Sequence, residues 1–424
     1  LQNDIDVFLI PSIWPETFSY TTEEIMKMGM PVMCFDIGAP AERVKKYEKG
    51  IIIPEISAEL VYDTIRNNKL IKEIANKKVN AKKILFVVQE ETFSSRYRID
   101  HLREQLIRKG IASDCISIKD VKKCDLKEYC NVVVYRISDY EKMKKLKNKI
   151  QKCQTSLYYD IDDYIFNYQA IKDIGFLKGK EYRNYENYTN QIRKCMEISD
   201  GYIVSTESLK RVIENQFPNK EVIVNRNVAS MEMTISSLTL EKVQKDYITI
   251  GYFSGTKTHN DDFESIKEEL ISIMRQNKKV HLLIGGQIEL PADFNEVKDQ
   301  VETFKFVSWQ ELPHLISKAD INLMPLENTI FHECKSENKW MEAALVNVPT
   351  IASWNRELAL VIHDGEDGFL CKNSEEWTEK LCQLIEDNEL RNRMAQNAHE
   401  RVTKEYLTDD IEPEIVRSLV DDVK

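Results

Sequence analysis

Short apolar runs recur along the chain, and stretches of helical period separate them. Lys83-Ile-Leu-Phe-Val-Val88 shows no polar alternation and reads as a strand buried on both faces, as in a parallel sheet. Residues 102–109 read as a helix stopped by Gly110. Strands are expected at 132–135, 156–160, 201–205 and 222–224. A second series is expected at 248–253, 280–284, 304–307, 321–324 and 350–353. Residues 231–246 carry no strong strand pattern and read as a linker. Residues 377–406 read as helical, with Leu381, Leu384, Ile385 and Leu390 at helical spacing. Strand alternating with helix on both sides of a linker predicts an α/β protein with two doubly wound, Rossmann-like sheets facing a cleft.

The pattern also repeats. Asp6-Val-Phe-Leu-Ile-Pro11 matches Asp320-Ile-Asn-Leu-Met-Pro325, and Glu24-Ile-Met-Lys-Met-Gly-Met-Pro31 matches Glu342-Ala-Ala-Leu-Val-Asn-Val-Pro349. The second copy carries four extra residues between strand and helix. The chain therefore divides into a partial α/β unit (1–81), a Rossmann-like domain (82–230), a linker (231–246), a second Rossmann-like domain (247–405) and a tail (406–424). A chain opening in mid-domain is expected to be a piece of a longer tandem protein. Residues 1–80 are then expected to be inactive, and residues 83–424 to carry the activity.

Composition narrows the class. The 424 residues, 42% hydrophobic and 30% charged, supply cores for two or three domains. A net charge of −11 argues against a nucleic-acid partner and leaves room for one local anion pocket. Nine scattered cysteines without a CxxC pair read as reduced thiols of a cytoplasmic protein. No apolar run approaches the ~18 residues of a membrane-spanning helix. The stretch Lys142–Lys152 holds six lysines, which fit either peripheral contact with the inner face of a membrane or an ordinary solvated face.

Several clusters carry candidate chemistry. Lys335, Lys339 and Glu342 share one helix face by their spacing, with Ser336 beside them. Two ammonium groups and a carboxylate suit a diphosphate and the hydroxyls of a sugar; a solvated, salt-bridged face is the plain alternative. Ser254-Gly-Thr-Lys-Thr-His259 follows a strand, so Ser254, Gly255 and Thr256 offer backbone N–H groups to phosphate, and His259 is placed to assist a leaving group. An ordinary capped turn fits the same residues. Arg96 and Arg98, after the first strand of the middle domain, are expected to face the cleft and hold an anionic group, or to be surface arginines. Asp162 and Asp163, at another strand end, suit orientation of a hydroxyl, base catalysis or a helix cap. No metal site is expected.

These motifs resemble the retaining glycosyltransferases of the GT-B fold, the group 1 or family 4 set. The resemblance rests on Pro11-Ser-Ile-Trp-Pro-Glu-Thr-Phe18, Glu24 to Pro31, Asp36-Ile-Gly-Ala-Pro-Ala-Glu42, Val222-Ile-Val-Asn-Arg-Asn227 and Asp364-Gly-Glu-Asp-Gly-Phe-Leu370. It implies transfer of a sugar from a UDP-, GDP- or dTDP-sugar to a glycan or lipid-linked acceptor, with retention and without a cofactor or metal. Surface polysaccharide synthesis is the implied setting. The family's Glu-x7-Glu pair is Glu16 and Glu24 in the first copy. In the second, Glu342 matches the second Glu, Cys334 stands where the first is expected, and Asn347 replaces a Gly. Glu333 is the adjacent substitute. The implied catalytic set is Glu333, His259 and Asp162. Ser254, Gly255, Thr256, Lys335, Ser336, Lys339 and Glu342 hold the donor, and Arg96, Arg98 and Asp163 the acceptor. The missing carboxylate at 334 leaves a second reading open: a weakly catalytic GT-B module that binds nucleotide or glycan, or supports an active partner.

Overall fold

The computed structural model describes residues 5–80, 83–90, 92–153, 155–172, 180–238, 240, 245–255, 259–409 and 413–421. Its strands form three sheets in which every pairing is parallel. A short sheet joins β1 (Phe8–Ile10), β2 (Val32–Phe35) and β3 (Gly50–Ile53) in that order. The middle sheet uses β4 (Lys83–Val88), β5 (Ser113–Ser117), β6 (Tyr129–Tyr135), β7 (Ser156–Ile161), β8 (Gly201–Val204) and β9 (Glu221–Val224), ordered β5-β4-β6-β7-β8-β9. The last sheet uses β10 (Ile248–Ser254), β11 (Val280–Gly286), β12 (Val301–Phe304), β13 (Ile321–Met324), β14 (Thr350–Ser353) and β15 (Phe369–Cys371), ordered β12-β11-β10-β13-β14-β15. This is the two-Rossmann GT-B architecture. Strand order reverses between β4 and β6 and between β10 and β13, where open α/β sheets bind ligands.

The strands are apolar because helices cover both faces of each large sheet. Ile84 to Val87, Val132 to Val134, and Ile321 to Met324 have almost no solvent contact. The short sheet repeats the order β13-β14-β15, as the repeat predicts. Its flank is poorly covered: Trp14 and Tyr20 are 75% and 77% exposed.

The structure differs from the pattern in four places. Strand β5 was not expected, because its residues are polar and only half-buried at a sheet edge. Strand β12 runs Val301–Phe304 and meets the predicted stretch, 304–307, only at Phe304, because Phe306 and Val307 line the cleft instead. The 231–246 stretch opens with a helix, Met231–Leu238. The tail returns to the middle domain: Ile415 and Leu419 are buried against it, and Asn131 Nδ2 donates to Leu419 O at 2.8 Å.

A polar seam joins the two large domains. Glu357 is fully buried and accepts from Ser208 N (2.8 Å) and Glu207 N (3.2 Å) at the start of the helix Glu207–Gln216. Arg226 pairs with Glu357 at 2.9 Å and with buried Glu337 at 3.3 Å. The segment leading into the helix Asn338–Leu345 is also held: Thr206 Oγ1 donates to Cys334 O at 3.0 Å, and Asn227 Nδ2 to Ser336 Oγ at 3.1 Å.

Candidate active site

The cleft is built from strand ends. Strand β10 delivers Ser254, Gly255 and His259, and β11 ends on Gly285 and Gly286. Gly286 has φ +108°, and a Cβ there would stand 1.9 Å from Ser254 O, so only glycine lets the two strand ends approach. The helix Asn338–Leu345 brings Lys339 and Glu342. The middle domain adds Phe93, Ser94 and Tyr97 from the turn after β4. These residues enclose a cavity of about 220 Å³.

Glu342 is bridged across the cleft. Its Oε1 accepts from Tyr97 Oη and, at 3.3 Å, from Arg96 Nη2. Arg96 packs among the rings of Phe93, Tyr97 and Trp309, with centroids 4.4, 4.5 and 4.8 Å from its guanidinium carbon. Lys339 Nζ donates to Phe253 O, and burial pushes its ammonium down to about 8. Lys335 lies 4.6 Å from the Phe331 ring centroid.

Asp262, which no motif pointed to, ties two histidines together. Its Oδ2 is 2.7 Å from His259 Nδ1, and its Oδ1 is 3.2 Å from His332 Nε2. The same Oδ1 accepts from Glu327 N at 2.9 Å, and His332 Nδ1 lies 2.7 Å from Thr329 Oγ1. Burial first, then Lys335, hold His259 down at about 4, so its ring is neutral at pH 7. Asp262, Glu327 and His332 place ligand-type atoms within 4.8 Å of one another. Asp262 and His332 bond each other and protein groups: Asp262 also accepts from Glu327 N, and His332 Nδ1 meets Thr329 Oγ1. The i,i+3 spacings of 259/262 and 329/332 were legible; their meeting was not.

On the facing side, Arg136 follows β6 with φ +45°, a strained conformation for a side chain of its size. Its Nε donates to Asp162 Oδ1 at 2.6 Å and its Nη2 to Asp163. Burial raises the Asp162 carboxyl. Burial also raises Asp163, but Arg136, Lys335 and His259 outweigh it and bring that carboxyl down to about 2. Arg136, Ile165, Asn184, Tyr185 and Tyr188 line a wide, open depression of about 500 Å³.

The structure thus brings together Ser254, Gly255, His259, Lys339 and Glu342, with Lys335 and Asp163 beside them and Arg96 on the opposite wall. Thr256 lies outside the described residues. Arg98 does not face the cleft. It is fully buried, with Nε 2.8 Å and Nη2 2.9 Å from the Asp160 carboxylate and Nη1 3.1 Å from Asn227 Oδ1. Residues 96–100 form a π-helical turn, and positions two apart on a helix point in opposite directions. Glu333 does not line the cavity either; its Oε1 accepts from Arg211 Nη2 (3.1 Å) and Ser208 Oγ (3.2 Å). Cys334 is buried in the middle domain's core cluster, and burial pushes its thiol up. Ser336 is occupied by Asn227. In the short N-terminal unit, Glu24 is exposed to solvent. Half of the lysines of Lys142–Lys152 are engaged within the protein: Lys142 with Asp139 (2.6 Å), Lys147 with Asp200, and Lys149 with Val121 O (3.1 Å).

The family model described as glycosyl transferases group 1 matches residues 1–84 and 231–401, which include both copies of the repeat. Among solved structures, HepE of Anabaena, in complex with UDP and glucose, is 15% identical, with 80% of this chain and 99% of that one covered at a TM-score of 0.53. The sucrose-phosphate synthase of Thermosynechococcus elongatus is 13% identical, with 77% and 95% covered and a TM-score of 0.53. A TarM variant of S. aureus is 13% identical, with 95% and 97% covered and a TM-score of 0.50. At these identities the likeness is one of fold. No curated protein sequence matches the chain. No helix among the described residues is long and apolar enough to cross a membrane.

Proposed function

The chain belongs to the group 1 glycosyl transferases, and on that premise we propose that it transfers a sugar, with retention, from a nucleotide-sugar donor to a hydroxyl of a glycan or lipid-linked acceptor. The observation that carries this reading is the convergence of Glu342, Lys339 and His259 on one cavity beyond the β10/β13 strand reversal. Glu342 suits the two hydroxyls of a ribose. Lys335, Lys339 and the backbone at Ser254 and Gly255 suit the diphosphate, and stabilise it as it departs without a divalent ion. Asp163, ionised and electrostatically close to Lys335 and His259 across the cleft, is the group to orient the acceptor hydroxyl. The tyrosine-walled depression beside it is the space for the acceptor sugar. Synthesis of a surface polysaccharide is the setting proposed.

HepE was solved with UDP, which makes UDP the first nucleotide to try, followed by GDP and dTDP. Thermal unfolding with each nucleotide on the wild type and Glu342→Ala tests the reading. At 100 times its Kd the right nucleotide stabilises the protein by about 2.7 kcal/mol, a rise of several degrees. The variant is expected to lose that rise. No shift with any nucleotide sinks the donor reading. The burial of Cys334 and the pairing of Glu333 with Arg211 favour the second reading, a binding module with weak catalysis. Nucleotide binding without sugar transfer or donor hydrolysis would select it.

A further inference from the structure

We propose that Asp262 joins His259 and His332 into one unit, in which His259 takes up a proton as a nucleoside diphosphate enters the cavity and then donates its Nε2–H to a phosphate oxygen. The proposal rests on the donor reading above and identifies the group that answers the leaving diphosphate's charge.

The geometry fixes the ring. His259 lines the cavity and its side chain is 17% exposed. Its Nδ1 is spent on Asp262 at 2.7 Å, so Nε2 is the nitrogen left to meet a ligand. Asp262 has no solvent contact, and its other oxygen is held by His332 Nε2 and Glu327 N. His332 is buried and anchored by Thr329. Neither ring can turn without breaking this chain of bonds, which makes Asp262 and His332 positioning residues.

The charges around His259 come from four places: Lys335 and Lys339 at the opening of the helix Asn338–Leu345, its bonded partner Asp262 on the helix Asn260–Glu264, His332 on the helix Ile330–Glu333, which bonds Asp262, and Asp163 from the middle domain. Burial and the two ammonium groups oppose charge on the ring. A neutral ring with its proton on Nδ1 aims a lone pair at an incoming phosphate oxygen, which repels it. A diphosphate reverses both conditions: its oxygens neutralise the ammonium groups and offer an acceptor at Nε2. The buried Asp262 carboxylate then faces an imidazolium. During transfer the acceptor oxygen bonds to the donor's C1 as the C1–O bond to the diphosphate breaks; the electron pair of the broken bond goes to the phosphate oxygen, and the acceptor hydroxyl's proton passes to the departing diphosphate. The Nε2–H hydrogen bond strengthens as that charge grows, with the proton staying on nitrogen.

Titration calorimetry of UDP at pH 7 in two non-phosphate buffers of different ionisation enthalpy counts the protons exchanged. The wild type is expected to take up about half to one proton more per UDP than His259→Gln does. The His259→Gln change sits at a partly exposed position and is expected to weaken UDP roughly tenfold. Asp262→Asn, checked for folding by its melting curve, is expected to lose the same uptake. Equal proton counts in wild type and His259→Gln, with UDP bound in both, overturn the proposal and leave the donor reading standing. No binding of UDP, GDP or dTDP by the wild type removes the donor reading and this proposal with it.

Discussion

Single residues carry much of what this cleft does. Tyr97 and Arg96 bond the Glu342 carboxylate, so a ribose has to displace them. Replacing Tyr97 by Phe removes one competitor worth about 0.5–1.5 kcal/mol. The nucleotide Kd is expected to fall between twofold and tenfold, read by calorimetry; a weaker Kd would show that Tyr97 helps to hold the ligand. Arg98 has the opposite character. It and Asp160 have no solvent contact, and burial outweighs Arg98 to leave the Asp160 carboxyl at about 6. Arg98→Met strands that carboxylate and is expected to cost about 3–5 kcal/mol in urea unfolding. Two histidines set an acid limit. Burial holds His101 at about 3 and His259 at about 4, both below the unfolded 6.5. A lowered histidine favours folding above 6.5, and that gain is lost as pH falls toward the folded value. Each contributes a slope of about 1 kcal/mol per pH unit between 6 and 4. Asp160, raised to about 6, gains stability below that pH and offsets one of the two histidine slopes, so urea midpoints measured at pH 7, 6 and 5 are expected to show a net drop of about one histidine's slope, and a rise as pH falls would contradict this.

At the scale of elements, helix starts are where the domains are tied. Glu357, from the last domain, caps the helix Glu207–Gln216 of the middle domain and shares Arg226 with Glu337 at the start of Asn338–Leu345. A carboxylate at a helix start gains from the macrodipole and from charge-assisted bonds to N–H groups. Glu357→Ala leaves two orphan donors and is expected to cost about 2–4 kcal/mol. It should also weaken nucleotide binding, because the same seam fixes Lys335 and Lys339. Thermal unfolding and a UDP titration on one preparation read both effects.

At the scale of the whole molecule, the cleft is already bridged. Cys334 and Phe331 sit in the middle domain's core cluster although the chain places them in the last domain. The seam predicts that small-angle scattering finds no resolvable change in radius of gyration when UDP binds. The short N-terminal unit stands apart from this site. Arg108 Nη1 donates to Lys27 O at 2.8 Å, and neither residue lines the cavity. A chain lacking residues 1–81 is expected to keep its UDP affinity within about twofold, since additivity holds for distant parts.

The sequence by itself determined the strand–helix alternation, the two doubly wound sheets, the repeat and the identity of Glu342, Lys339 and His259 as cleft groups. Those features are local: buried parallel strands must be apolar, and strand ends must carry the ligand-facing residues. Only the tertiary structure decided which arginine faces the cleft, because a π-helical turn turns Arg98 inward while Arg96 stays in it. Only it decided that Cys334 packs into a neighbouring domain and that Asp262 reaches His332 seventy positions away. Such pairings join residues far apart in the chain, and periodicity records which face of an element is buried, never what the face is buried against.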